Sequence, residues 1–249
     1  MKKAVISTIF VSACLFSSAQ DLSNIAYHDT ISAAYLAVTK QQSEAVEDSS
    51  ISGSRYYLVD NDGNSYNVVK IGDQFWMAEN LRTTRFNDST PIPQVSDYSL
   101  WGRFGAPGYC WYNNNEEKYK TKYGALYNGY SVSTGKLCPA GWHVPSVEEW
   151  MTLTSYCGED MAGGKLKETN NWMSPNTGAT NEIGFKARPG GSRGNLGSFM
   201  DEGLRGHWWS STENDKANVW NRTMGYTHSN VTGSSDRKES GLSVRCIKD

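Results

Sequence analysis

The chain has 249 residues, a formal net charge of −2 at pH 7, 38% hydrophobic residues and nine tryptophans. This length and hydrophobic content are sufficient for one large globular domain with a core of its own. The charge argues against a general nucleic-acid-binding protein, which usually carries an excess of Lys and Arg, so we expect no nucleic-acid partner.

The first 19 residues have the pattern of a signal peptide. A short basic start precedes an apolar run, and the small residues Ser17 and Ala19 suit cleavage before Gln20. We therefore predict an exported protein, either secreted or associated with the cell surface or outer membrane. The alternative is a lipoprotein signal acylated at Cys14, and only in that case do we expect attachment to a membrane.

Residues 20–55 are rich in Ser, Ala, Gln, Glu and Asp and contain no Trp. Apolar residues recur at approximately helical spacing within 21–40. We predict a polar spacer with a short helix, and a dedicated partner-binding helix is the alternative. The globular domain then covers residues 56–249.

A polar turn, Asp60-Asn61-Asp62-Gly63-Asn64, separates two strand-like segments and predicts a β-hairpin. Its acidic residues also resemble a calcium-binding loop. That loop requires Gly at its sixth position and Glu at its twelfth, where this chain has Ser65 and Ile71. We therefore interpret the segment as a hairpin.

Residues 87–123 are polar, aromatic and loop-like. Loops of this length inside a domain are usually functional or are ordered by their own side chains. Trp101 and Trp111 have two possible roles, either packing the loop or stacking on a sugar.

A helix is predicted to begin at Ser146, because Ser146 and Glu149 have the spacing of a capping box before an apolar periodic run. Gly158 is expected to end it. Gly163 and Gly164 are interpreted as a turn into a short strand, since the segment lacks the remainder of a phosphate-binding loop.

Residues 185–212 contain the densest mixture of arginine, histidine and tryptophan in the chain. The alternative to a binding surface is a core strand whose residues face inward alternately, with arginines paired to local carboxylates. The candidate ligand-binding residues are Trp101, Trp111, Arg188, Arg193, Arg205, His207, Trp208 and Trp209.

No pattern indicates catalysis. The four histidines are widely scattered, and neither a nucleophile elbow nor a His-Glu-x-x-His motif occurs. We predict no catalytic residue, no metal and no cofactor, and therefore a protein that is not an enzyme.

Short hydrophobic runs and frequent turn residues predict an α+β fold, with short twisted antiparallel strands, one main helix and long loops. Five segments also resemble the Fibrobacter succinogenes major paralogous domain, in the order in which that family has them. They lie at 69–84, 123–128, 135–146, 208–213 and 241–246.

More remotely, that family is similar to the C-type-lectin-like fold of formylglycine-generating enzymes. The resemblance implies a C-type-lectin-like fold but no settled activity. Sugar-binding lectins hold calcium with a Glu-Pro-Asn loop and a Trp-Asn-Asp strand. Here residues 174–176 lack the acid and Arg222 follows Trp220-Asn221, so we expect no such calcium site.

Four cysteines remain after cleavage, and three pairings are open in an oxidising compartment. We favour Cys138–Cys246, because the start of the 135–146 segment and the last strand-like segment are expected to be neighbours. Cys110–Cys157 would follow as the second pair, with one or both as free thiols the alternative.

These patterns together favour an exported, non-catalytic recognition module that binds a glycan or a surface protein. One alternative is a structural envelope or matrix component without a small ligand. The other is an enzyme related to the formylglycine-generating group, which would need two reactive cysteines near the final strand, where this chain has only Cys246.

Overall fold

A computed structural model of the chain describes residues 46–48 and 55–249. The predicted signal peptide and most of the predicted spacer lie outside these residues. Within them, no helix has the length and apolar character needed to cross a membrane.

The described residues are mostly strands, with a few short helices. The helices are α1 (Tyr98–Trp101), α2 (Glu116–Tyr123), α3 (Gly129–Val132), α4 (Val147–Cys157) and α5 (Ala162–Leu166). The strands are β1 (Val46–Asp48), β2 (Arg55–Val59), β3 (Ser65–Ile71), β4 (Gln74–Met77), β5 (Tyr109–Cys110), β6 (Leu126–Asn128), β7 (Trp142–His143), β8 (Gly190–Arg193), β9 (Phe199–Glu202), β10 (Arg205–Glu213), β11 (Asn218–Gly225), β12 (Thr232–Arg237), β13 (Gly241–Leu242) and β14 (Ile247–Lys248).

The strands form two sheets. One has the order β1-β2-β3-β4-β14-β7, and the other has the order β12-β11-β10-β8-β13-β6-β5 with β9 paired to β8. Most pairs are antiparallel, and β8 runs parallel to β10 where Gly191 lies opposite Gly206. The mixed, strand-rich character and the main helix agree with the prediction.

The predicted hairpin is present between β2 and β3, where Val59 pairs with Ser65. The Asp60 carboxylate accepts hydrogen bonds from the backbone N–H groups of Asp62 and Asn64 and from the Tyr66 hydroxyl. This carboxylate therefore closes the turn through local hydrogen bonds.

The main helix, α4, begins and ends where the sequence predicts. Ser146 Oγ accepts from the Glu149 backbone N–H at 3.2 Å, and Glu149 Oε2 accepts from the Ser146 N–H at 2.7 Å. Gly158 ends the helix with φ of 81°, a left-handed conformation that glycine adopts without a Cβ clash. Trp150 and Leu153 are buried on its inner face.

The interpretation of Gly163 and Gly164 as a turn into a strand is wrong, because both lie within α5. Their role is close packing. A Cβ on Gly163 would lie 2.4 Å from the Asn230 carbonyl oxygen, and one on Gly164 would lie 2.4 Å from the Gly178 carbonyl oxygen. Only glycine allows these segments to approach α5.

The strand-like segment at 242–247 is divided between the two sheets. Leu242 ends β13, which pairs with β6 and β8, and Ile247 begins β14, which pairs with β4 and β7. The residues between them are buried. The crossing brings Cys246 to Cys138, and the predicted disulfide is confirmed with a Cα–Cα distance of 5.9 Å.

The predicted Cys110–Cys157 pair is wrong, and the alternative of free thiols holds. Within the described part of the chain, buried apolar side chains form three clusters, and these two cysteines belong to different ones. Burial raises the pKa of Cys110 to about 12 and that of Cys157 to about 11.

Candidate functional site

The aromatic half of the predicted binding surface lies in the core. Trp209, for example, donates its indole N–H to the Tyr127 carbonyl at 2.7 Å. Side chains in this position present no face to a sugar, and the packing alternative describes them. The four buried candidates are Trp101, Trp111, Trp208 and Trp209.

Two of the candidate arginines also make contacts within the protein that stabilise the fold. Arg193 is fully buried, donates to four backbone carbonyls and stacks on Trp101. Arg188 pairs with the Glu168 carboxylate, with Nε 3.0 Å from Oε2, and donates to the Lys122 carbonyl. Both arginines therefore have protein partners.

The two remaining candidates, Arg205 and His207, lie together at a surface cleft of about 350 Å³. We call it the β10–β12 cleft. Its lining residues are of polar types except for one glycine: Arg205, His207, Thr223, Gly225, His228, Asn230, Thr232, Ser234 and Asp236.

Strand register explains why these side chains share one surface. Antiparallel pairing places His207 opposite Thr223, Thr223 opposite Thr232, and Asn221 opposite Ser234. Since alternate residues of a strand face the same side, the three strands present rows of polar groups on one face.

His207 is held at the centre of the first row. Its Nδ1 lies 2.9 Å from Thr223 Oγ1, and its Nε2 lies 3.1 Å from Asp201 Oδ2. The hydrogen bond from His207, together with nearby Arg205, lowers the pKa of Asp201 despite partial burial. The imidazole is thereby fixed in orientation, while the Arg205 side chain is 57% exposed.

A second network connects β11 and β12. Asn221 donates to Asp236 Oδ2 at 3.0 Å and accepts from the Ser234 hydroxyl at 2.9 Å. Burial raises the pKa of Asp236, and nearby His207 partly opposes that change. The cleft thus combines the Arg205 cation, the Asp236 carboxylate, several hydroxyl groups and two imidazoles, and it can both donate and accept hydrogen bonds.

The sequence analysis identified Arg205 and His207 but missed the residues of β11 and β12 that complete the cleft. Thr232-Gly-Ser-Ser-Asp-Arg has no apolar alternation, so it gives no strand signal in the usual sense. The available signal was polar: Thr232, Ser234 and Asp236 recur with the period of a strand.

Within residues 46–48 and 55–249, no three or more His, Cys, Asp or Glu side chains converge in a way that could hold a metal ion.

The Fibrobacter succinogenes major domain matches residues 69–248, which include every strand of the second sheet, strands β4, β7 and β14 of the first, α4 and the whole β10–β12 cleft. No curated protein and no solved structure gives a significant match to the chain. Because the matched range covers well over half of the chain, the protein belongs to the Fibrobacter succinogenes major domain family.

Proposed function

We propose that this protein is an exported, non-catalytic recognition module that binds a glycan in the β10–β12 cleft. The observation that carries the proposal is the row arrangement of hydroxyl, carboxylate and imidazole groups on three strands, beside the exposed guanidinium of Arg205. Sugar hydroxyl groups both donate and accept hydrogen bonds, so a mixed polar surface is complementary to them.

The ordered side chains of the β10–β12 cleft also support the proposal that it binds a glycan. The lining residues His207, Ser234 and Asp236 are each held by hydrogen bonds within the protein, the last two by the buried Asn221. Side chains that are already ordered lose less conformational entropy when a ligand binds. Arg205 is an exposed charge 3.6 Å from the Asp201 carboxylate, and its guanidinium suits an acidic sugar.

Cysteine chemistry favours recognition over an enzyme of the formylglycine-generating type. Cys246, the cysteine at the final strand, is joined to Cys138 in a disulfide. Burial raises the thiol pKa values of Cys110 and Cys157, which disfavours the reactive thiolate.

Export rests on the signal-peptide pattern at residues 1–19 and is supported by the disulfide, since disulfides persist mainly in oxidising compartments. Mass spectrometry of the native N-terminus tests it. A mature start near Gln20 supports secretion, and an acylated Cys14 would instead place the protein on a membrane.

The binding proposal is tested on an array of neutral and acidic glycans, followed by calorimetry with the best binder. Arg205→Ala should weaken binding by roughly tenfold or more, since a hydrogen bond to a charged group contributes about 1.5–3 kcal/mol. Arg103→Ala is the matched control, because Arg103 is exposed and lies outside the cleft.

If no glycan binds, or if both arginine variants bind equally well, the cleft is not a glycan site. The alternative of a structural envelope or matrix component would then take its place. Substitution of Trp208 or Trp209 is unsuitable here, because both are buried and their loss would report on stability.

A further inference from the structure

A second concave surface lies on the other face of β11, between that strand, the start of β12 and helix α4. It encloses about 440 Å³, and we call it the Arg222 groove. Trp220 and Arg222 flank Asn221 in the strand and therefore point away from the β10–β12 cleft. Its lining includes Val147, Met151, Trp220, Arg222, Val231 and Gly233.

Arg222 lines this groove with few protein partners, although only 8% of the residue is exposed. A guanidinium has five N–H donors. In Arg222 they reach two acceptors, the Asn221 carbonyl at 3.0 Å and the Val147 carbonyl at 3.5 Å. The second distance is at the limit of a hydrogen bond.

Two other buried arginines of this chain, whose roles are structural, have more hydrogen-bond acceptors than Arg222. Arg193 donates to four carbonyls and lies against two aromatic rings. Arg245 also has four acceptors and stacks on the Phe185 ring. Arg222 has half as many acceptors.

Among the described residues, no carboxylate forms an ion pair with Arg222. Burial lowers the pKa of the Arg222 guanidinium, and the charge of Glu148, which acts without a direct contact, partly opposes that decrease. A buried cation without a counter-charge is unfavourable, and buried charges are normally paired. The unused N–H groups therefore point to an anion that the protein does not itself supply.

The space around the guanidinium depends on glycine. Gly233 lies directly opposite Arg222 in the β11–β12 register. A Cβ at that position would lie 2.9 Å from Arg222 Nη1 and would force the guanidinium to move. The absence of a side chain at Gly233 therefore leaves room on β12 for the Arg222 guanidinium.

Apart from Arg222, four of the seven lining residues carry apolar side chains, and Thr154 is polar. Val147 and Val231 contribute aliphatic groups, Trp220 is half-buried, and Met151 is 56% exposed on the outer side of α4. Glu159 also lines the groove, so the wall holds one acid beside one cation. That balance disfavours phosphates and polyanions, which carry more than one negative charge.

We propose that the Arg222 groove binds an amphipathic monocarboxylate. The carboxylate pairs with the planar guanidinium in the bidentate geometry that arginine favours, and the apolar body packs on Trp220 and Met151. The volume lies within the range of small-molecule sites, about 300–1,000 Å³. Two sources share this chemistry, a free carboxylic acid and the terminal carboxylate of a peptide with an apolar last residue.

The first test is calorimetric titration of the mature protein with phenylacetate and with its uncharged amide, phenylacetamide. A second arm uses an N-acetylated tripeptide ending in leucine, with a free or an amidated C-terminus. Each acid that fits should bind at least about tenfold more tightly than its amide, because the amide cannot form the charge-assisted pair. Binding of the peptide acid alone would identify a chain terminus as the source.

A variant that leaves Arg222 in place separates binding from folding. Met151→Glu puts a carboxylate on an exposed position of the groove wall, where it competes with the ligand for the guanidinium. We expect affinity to fall at least about tenfold with an unfolding midpoint no lower than that of the wild type, because the new carboxylate also supplies a counter-charge to Arg222. Met161→Glu is the matched control, since Met161 is 61% exposed and lies outside the groove.

Equal binding of acid and amide, absence of binding in both arms, or full affinity in Met151→Glu would overturn the proposal. None of these results bears on the β10–β12 cleft, because the two sites lie on opposite faces of β11.

Discussion

Reduction of the Cys138–Cys246 disulfide should remove a large part of the stability of this fold. The two cysteines are 108 residues apart in sequence, so the bond closes a long loop in the unfolded chain. On the chain-entropy account, a loop of this length contributes about 4–5 kcal/mol at 25 °C. For a domain of this size, that corresponds to a fall in Tm of roughly 8–20 °C.

The measurement is guanidinium unfolding followed by tryptophan fluorescence, with and without a thiol reductant. A background variant with Cys110→Ala and Cys157→Ala removes the two free thiols, so that among the described residues only Cys138 and Cys246 can undergo thiol exchange or alkylation. We expect the reductant to lower the free energy of unfolding of this variant, and to increase the denaturant dependence because the uncrosslinked chain expands further.

Replacing the bonded pair as well, by Cys138→Ala and Cys246→Ala, provides the control, which should not respond to the reductant. A change below about 1 kcal/mol on reduction would refute the loop-closure reasoning. So would alkylation of Cys138 or Cys246 in unreduced, denatured protein.

Three further outcomes follow from local contacts. Ser146→Ala should destabilise the protein by about 1 kcal/mol in urea unfolding, because it removes half of the capping box of α4. Trp208→Ala should cost about 3–5 kcal/mol in the same assay, since it opens a cavity among fully buried side chains. Burial alone would lower the pKa of His143, but hydrogen bonds to Asp249 and Glu149 outweigh it and raise the pKa above 6.5. The stabilising contribution is therefore present below about pH 6.5 and is lost as pH rises through the raised pKa. Compared with His143→Gln, the wild type should lose up to about 1 kcal/mol between pH 6 and pH 8.5, a small effect because the ring is partly exposed. A pH-independent difference between the two would contradict this.

The correct predictions rest on contacts between residues that are close in sequence. Ser146 and Glu149 are three residues apart, and the Asp60 turn closes within five residues, so each carries its own signal. The Cys138–Cys246 prediction succeeded for a related reason, since it required only that two recognisable segments be neighbours.

The candidate binding residues were harder to predict because burial is not a property of residue type alone. Arginine and lysine are usually exposed, yet Arg193, Arg245 and Lys167 are fully buried. Lys167, for example, donates to three backbone carbonyls, from Thr177, Gly225 and His228. These acceptors come from other segments of the chain, so the sequence around Lys167 does not predict them.

The sequence by itself determined the main helix with its caps, the first hairpin, the family and the disulfide partner of Cys246. Only the tertiary structure decided which polar groups share a surface. Arg205 and His207 line a cleft because polar residues of β11 and β12 lie beside them in register. Arg222 lines the groove because it lies opposite Gly233 and close to α4. The physical reason is that a strand's register and neighbours are set by packing over the whole domain, whereas caps and turns are set within a few residues.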